Sequence, residues 1–364
     1  MTFSEKLIII FTSSQWRIYQ MTRRKKEISI HLVAERAGVS VATVSRVVNN
    51  RTDVSETLRR RIRTVISELN FSPNKGTERV SHIGVIVSTE FPALPEYTSQ
   101  IINGMTGYAK THHSVEMSII MDCGEVDGQA LIRLSRTRRC DVLCLVMADR
   151  LLPALPMLER AGIPIMLINT PVQSGRMGYV NNDSNRGIRE AMELLLQKGH
   201  RRIGFLPVGD DSSDNCRQRL SEYRDALLEI GGGKPEWVIP HIPTVHAQEA
   251  GYRQAVKLLT ASPEITAILC GNDEMAMGCY RACYEFGRRI PDDVSIIGFD
   301  DLPFAGYLAP PLTTVRQPLS EMGRKALYYL DEYLQRNRSN LPGEILPTEL
   351  IIRQSVGTVN QEKR

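Results

Sequence analysis

No apolar run in these 364 residues approaches the ~20 that a membrane-spanning helix needs, and the early stretch "KLIIIFTSS" is too short for a secretory signal. No Cys-x-x-Cys occurs. The seven cysteines, Cys123, Cys140, Cys144, Cys216, Cys270, Cys279 and Cys283, are scattered, and the two four-apart pairs lack a second pair or a histidine at zinc spacing. They read as reduced core thiols of a cytoplasmic protein. "GGGKP" at 231–235 fails the phosphate-loop pattern, because proline follows the lysine and position 228 is leucine. His112-His113 and His241…His246 have no carboxylate or cysteine partner at ligand spacing. "DDSSDN" lacks the glycine and terminal glutamate of a calcium loop. No serine stands in a nucleophile-elbow context. These absences leave no candidate catalytic residue, metal site or cofactor, so an enzyme is not expected. Low-complexity segments and short-period repeats are missing too.

What remains is a chain of globular composition, 42% hydrophobic and 24% charged, long enough for two or three domains. Its net charge of +4 is unevenly spread. Residues 21–79 hold 13 Lys/Arg against 6 Asp/Glu, and residues 1–20 add one positive charge, which leaves a net of −4 on the remainder. A basic head on a mildly acidic body points to a polyanionic partner for the head. Met21 is expected to be the functional start, with residues 1–27 a disordered extension.

Residues 28–72 read as three short helices. The first, about 31–37, puts Val33, Ala34 and Ala37 on one side, and Gly38 stops it. Ser40 is placed to cap a second helix at about 41–49, and Ser55 to cap a third. In that third helix Leu58, Ile62, Val65, Ile66 and Leu69 keep helical spacing. On the second helix Val44, Val47 and Val48 face inward, whereas Ala42, Ser45, Arg46 and Asn49 share the outer face. Small groups with one long cation make a slim surface that fits a major groove, where an arginine can pair with guanine. The alternative is a helical hairpin with a solvated polar face.

From residue 82 short apolar runs alternate with amphipathic stretches. The runs are "IGVIV" at 83, "VEMSIIM" at 115, "DVLCLV" at 141, "IPIMLI" at 163, "IGFLPV" at 203, "WVI" at 237, "TAILC" at 266 and "VSIIGF" at 294. The alternation predicts parallel sheets buried on both faces, and two sets of four runs predict two similar lobes. "NDSNRGIREAMELLLQKGH" predicts a helix that opens with a capping pair, Asn182 and Asp183, and closes with Lys198, Gly199 and His200.

The stretch "HLVAERAGVSVATVSRVVNNRTDVSETLRRRIRTVISELNFSPN" resembles the DNA-binding headpiece of the lactose/galactose-repressor family of bacterial transcription regulators. "NNDSNRG", "GHRRIGFL", "AILCGNDEMAMG", "IPDDVSIIGFDD", "PPLTTVRQP" and "ELIIRQSV" resemble that family's landmarks in order, so the resemblance covers about residues 28–356. It implies an all-α helix-turn-helix headpiece (28–72) and a short hinge (73–82). An α/β two-lobed sensor like the periplasmic sugar-binding proteins would follow (83–356), with lobe 1 about 83–170 and 316–338, lobe 2 about 171–311 and 345–356, and a tail at 357–364. The implied function is a homodimeric repressor on palindromic operator DNA, controlled by a small polar effector such as a sugar. The remainder "VGTVNQEKR" is too short for a tetramerising heptad helix. A receptor of the same fold with weak or lost specific DNA binding is the alternative.

Carried over by residue, Val41, Ala42 and Arg46 match base-reading positions, and Thr43, Ser45 and Asn49 match phosphate-contacting ones. The resemblance favours Arg219, Asp300 and Asn272, and more weakly Asn169, as effector contacts beyond the carboxyl ends of strands. Taken singly, Asn272, Asp273 and Asp301 are equally readable as helix caps, and Asp183 more so. Some positions depart from the family. Leu32 replaces an aspartate. The connector "SPNKGTERVSHIGV" lacks the leucine that family members wedge into the minor groove, Val80 being the nearest apolar residue. Glu222 replaces a glycine. "PHIPTVHAQ" offers His241 or His246 where members carry a stacking aromatic.

Overall fold

The structure is a computed structural model that describes residues 8–12, 15–16, 30–48, 51, 54–69, 80–88, 96–112, 114–122, 127–147, 149–172, 174, 176–209, 214–242, 246–336 and 338–359. The chain divides into a small unit, residues 17–80, and a body formed by residues 1–16 and 81–364.

Among the described residues the small unit holds three helices, α1 (Ile30–Ala37), α2 (Val41–Val48) and α3 (Glu56–Glu68). Their core is Val33, Ala34, Ala37, Val44, Val47 and Ile62, with Leu58, Val65, Ile66 and Leu69 packed partly buried around it. Gly38 ends α1 in the left-handed region, φ +63°. The Val39 and Gly38 N–H groups return to the carbonyls of Ala34 (3.0 Å) and Glu35 (3.1 Å), the paired bonds of a Schellman stop. Ser40 then caps α2, its Oγ accepting the Thr43 N–H at 3.2 Å. Ser55 occupies the cap position of α3 without a side-chain bond, contrary to expectation. Arg59 instead fastens that turn by donating to the Arg51 carbonyl at 2.6 Å.

In the body, the sheet of lobe 1 contains β1 (Ile8–Thr12), β2 (Gln15–Trp16), β3 (Ser81–Ser88), β4 (Val115–Asp122), β5 (Val142–Val146), β6 (Ile165–Ile168) and β7 (Met177–Asn182). Lobe 2 contains β8 (Ile203–Leu206), β9 (Ala267–Cys270), β10 (Ser295–Asp300) and β11 (Thr313–Arg316). The chain then returns a strand to each, β12 (Gly343–Leu346) to lobe 1 and β13 (Glu349–Ile351) to lobe 2, giving the orders β12-β7-β6-β5-β3-β4-β1-β2 and β13-β11-β10-β9-β8. Pairing is parallel from β12 to β4 and from β11 to β8; β1 on β4, β2 on β1 and β13 on β11 are antiparallel. Helices α4 (Glu96–Thr111), α5 (Gly128–Arg138), α6 (Leu155–Arg160) and α11 (Leu319–Gln335) clothe lobe 1. Helices α7 (Ser184–Gln197), α8 (Asp214–Leu228), α9 (Ala247–Ala261) and α10 (Asp273–Glu285) clothe lobe 2. On β5, Val142, Cys144 and Val146 enter the core shared with α4 and α11, while Leu143 and Leu145 enter the opposite one. Burial on both faces is why this strand reads as an unbroken apolar run.

Several expectations are corrected. "WVI" forms a 3-10 turn, Pro235–Trp237, and a single bridge of Val238 to Phe205. Pro235 and Pro240 bracket it and offer no N–H to a ladder. Residues 177–182 pair within lobe 1 rather than lobe 2, and Ile345 and Leu346 do likewise. The chain therefore crosses between the lobes after β7, after β11 and after β12. Ile8–Thr12, expected to lack order, runs along β4. Within the expected tail, Gly357 and Val359 donate to Ser295 Oγ and the Lys198 carbonyl, each at 3.0 Å. Among the described residues no helix is long and apolar enough to cross a membrane.

Candidate nucleic-acid interface and effector cleft

Helix α2 buries Val44 and Val47 and turns Ala42 and Arg46 outward, with Val41, Thr43 and Ser45 at the margins. Eight residues span about 12 Å, and a helix with its side chains matches the ~12 Å width of the major groove. The Thr43 hydroxyl lies 2.8 Å from Ser40 Oγ, so its orientation is set by the helix cap. Arg60, Arg61 and Arg63 stand exposed on α3 and add to the positive field. Asn49 and residues 70–79 of the connector lie outside the described residues; Val80, the nearest apolar candidate, is exposed.

The second site lies where the carboxyl ends of strands from both lobes meet. Met147, Asn169, Asp300 and Asp301, at or just beyond the ends of β5, β6 and β10, have φ of 55°, 68°, 122° and 58°. Non-glycine residues held there cost of order 1–3 kcal/mol each, and such conformations gather where a structure positions functional groups. From lobe 1 come Asn169, Asn182 and Tyr97 of α4; Asn182 Nδ2 donates to Asn169 Oδ1 at 3.3 Å, and Asn169 Nδ2 donates to the Tyr97 hydroxyl. From lobe 2, Asn215 of α8 donates to the Asn169 carbonyl at 3.1 Å. Gln317, on the second crossover, accepts from Tyr97 at 3.3 Å and donates to Asp300 Oδ1 at 2.6 Å. Arg219, 6% exposed, donates to the Gly271 carbonyl (2.7 Å) and Ser184 Oγ (3.3 Å). Its guanidinium lies over the Phe299 ring, 3.7 Å from the centroid.

Burial pushes the Asp300 carboxyl up to about 7, against the opposing pull of Arg219 and the Gln317 bond. Asp273, behind it, is raised as well, by burial and then by the Asp300 charge. Of the four residues expected to hold an effector, Asn169, Arg219 and Asp300 converge in this network. Asn272 caps α10, its Oδ1 accepting the Met275 N–H at 2.8 Å. Asp183 caps α7 at 3.1 Å, as expected. Asp273 caps nothing: it accepts from the Leu302 N–H (2.8 Å) and the Thr314 hydroxyl (2.5 Å). Asp301 is held by Arg316 (2.7 Å) and Arg353 (2.6 Å). Glu222 is buried against α7, paired with Arg189 at 2.7 Å. Tyr97, Asn182, Ser184, Asn215 and Gln317 were not foreseen. The one available signal was position: Asn182 and Gln317 directly end or follow strands.

Residues 29–74 match the model of the bacterial regulatory proteins of the lacI family, and residues 192–356 match the periplasmic binding protein-like domain. The HTH-type transcriptional regulator DegA of Bacillus subtilis is 31% identical over 349 residues, 91% of this chain and 99% of DegA. This chain belongs to the lacI family. Two solved structures agree over about nine-tenths of it. The transcriptional regulator CelR in complex with cellobiose superposes with TM-score 0.68 at 29% identity, covering 90% of this chain and all of that one. The Lac repressor dimer bound to operator and the anti-inducer ONPF gives 0.67 at 26%, covering 91% and 100%. For a lacI-family chain the helix-turn-helix headpiece and two-lobed parallel-sheet body described above are the expected architecture.

Proposed function

We propose that this chain, as a cytoplasmic homodimer, binds a palindromic operator through α2 and represses transcription under the control of a small polar effector. Arg46, with Val41 and Ala42, reads base edges; Thr43, Ser45 and Asn49 contact phosphates. The effector lies between the lobes, held by Arg219, Asp300 and Asn169, with Tyr97, Asn215 and Gln317 as added contacts. Asn272 serves chiefly as the α10 cap. The proposal assigns no catalytic step.

The observation that carries this reading is the hydrogen-bond network of Asn169, Asn215, Gln317 and Asp300, donors and acceptors from both lobes in mutual reach. Amide, carboxylate and guanidinium groups in that setting exchange their mutual bonds for those of a polyhydroxylated molecule. A ligand that bridges them changes the lobe–lobe angle and with it the spacing of the headpieces. Such coupling is typically about 1–3 kcal/mol, or 5–150-fold in DNA affinity. The CelR–cellobiose complex makes sugars the first class to try.

The test is a gel-shift titration against the gene's own upstream region, with and without cellobiose, ribose and a panel of sugars preselected by thermal shift. A specific complex is expected, weakening steeply as salt rises, with affinity moved by one sugar class. Sequence-blind binding confined to low salt would favour a receptor without an operator.

A further inference from the structure

Away from the cleft, lobe 2 carries a groove of about 590 Å³ lined entirely by its own residues. That volume falls within the range of small-molecule sites. One wall is α8, through Leu220, Tyr223 and Leu227; the other is the segment 233–241. Val238 bridges Phe205 in parallel, so this segment follows β8 while α8 runs back beside it. Gly233 abuts Leu227 so closely that a Cβ would come within 2.5 Å of it, which sets Lys234 at the C-terminal end of α8. His241 lies at the other end, among Pro207, Gly209 and Cys216.

The two ends are polar and the middle is apolar. Arg224 has no ion pair among the described residues, and Lys234 reaches Glu264 at 3.1 Å with further N–H donors to offer. At the opposite end His241 Nδ1 is buried and has no hydrogen-bond partner among the described residues, a cost that a polar ligand atom would remove. We propose that the groove is a second ligand site, for an elongated organic anion with an apolar body: a medium-chain carboxylate. Its chain lies along Leu220 and Leu227, its carboxylate meets Arg224 and Lys234, and a polar group at its far end reaches His241. The helix that forms the wall also carries Asn215 and Arg219 into the cleft.

The test uses the full chain carrying Trp16→Phe, so that the fluorescence is that of Trp237, whose ring backs Gly233, titrated with octanoate, 8-hydroxyoctanoate, 1-octanol and acetate. Saturable binding of octanoate, tighter binding of 8-hydroxyoctanoate and weak or no response to acetate and 1-octanol are expected. Arg224→Gln with Lys234→Gln should weaken octanoate about tenfold or more, since it removes the charge-assisted bonds. His241→Phe should abolish the advantage of the terminal hydroxyl. Arg219→Ala should leave octanoate binding unchanged, which separates this site from the cleft. The proposal is overturned by no saturable change below the micelle-forming concentration, by equal binding to the doubly neutralised variant, or by loss of binding in Arg219→Ala.

Discussion

Arg46 is the long cation of the outward face of α2, flanked by side chains too small to reach past it. If its guanidinium pairs with a base, Arg46→Ala costs about 1–3 kcal/mol at the operator and relaxes preference at one position in each half-site. Binding-site selection on randomised operators measures both; equal losses on every sequence would make Arg46 a phosphate contact instead. Asp300 makes a prediction about pH. Its folded pKa is raised to about 7 by burial, so between the ordinary carboxylate range and pH 7 the folded chain binds a proton that the unfolded chain has released. The contribution of Asp300 to stability is thus greatest below its unfolded pKa and declines as pH rises through that window; Asp273 acts in the same direction. An effector that donates hydroxyls to the ionised carboxylate binds better above pH 7 and releases a proton on binding near it. Calorimetry in buffers of different ionisation enthalpy reads that proton, and Asp300→Asn should abolish both the release and the pH dependence.

The elements show which features a sequence exposes. The stop of α1 depends on one residue, because only glycine takes φ +63° at low cost and its nearest neighbour is the Arg61 guanidinium. Gly38→Val should destabilise the three-helix unit by about 1–2 kcal/mol. Hydrogen exchange at the amides of α1–α3 would then quicken roughly 5–30-fold while the body's protection stays unchanged. Those helices were legible because cap, stop and inward face are each local signals. β5 was legible because both its faces are buried. β7 was not, since it ends in Asn181 and Asn182, whose polarity reads as the start of α7. The cleft was half legible for a related reason. Arg219 and Asp300 follow recognisable landmarks, but Tyr97, Asn215 and Gln317 matter only through partners at separations of 17 to 220 residues, which no spacing rule reports.

On the scale of the whole molecule, an effector can shift DNA affinity only by binding one lobe arrangement better than the other. Arg219 is where that difference can be removed without touching the headpiece. It belongs to lobe 2, it is buried, and its bonds run to Gly271 and Ser184 rather than to lobe 1. Arg219→Ala leaves those two acceptors without their donor, at a cost of about 1–3 kcal/mol that a thermal melt should register while folding persists. The operator complex formed without effector should keep its affinity, since the headpiece residues are unchanged. The ratio of affinities with and without the sugar selected by the screen should fall from the 5–150-fold range to near one. Arg219→Lys keeps the charge but not the planar fork that lies over Phe299, so a partial response is expected from it. A gel shift of the three proteins, with and without the sugar, decides the matter. An unchanged ratio in Arg219→Ala would remove Arg219 from effector recognition and leave the coupling to the Asn169–Asn215 and Gln317–Asp300 contacts.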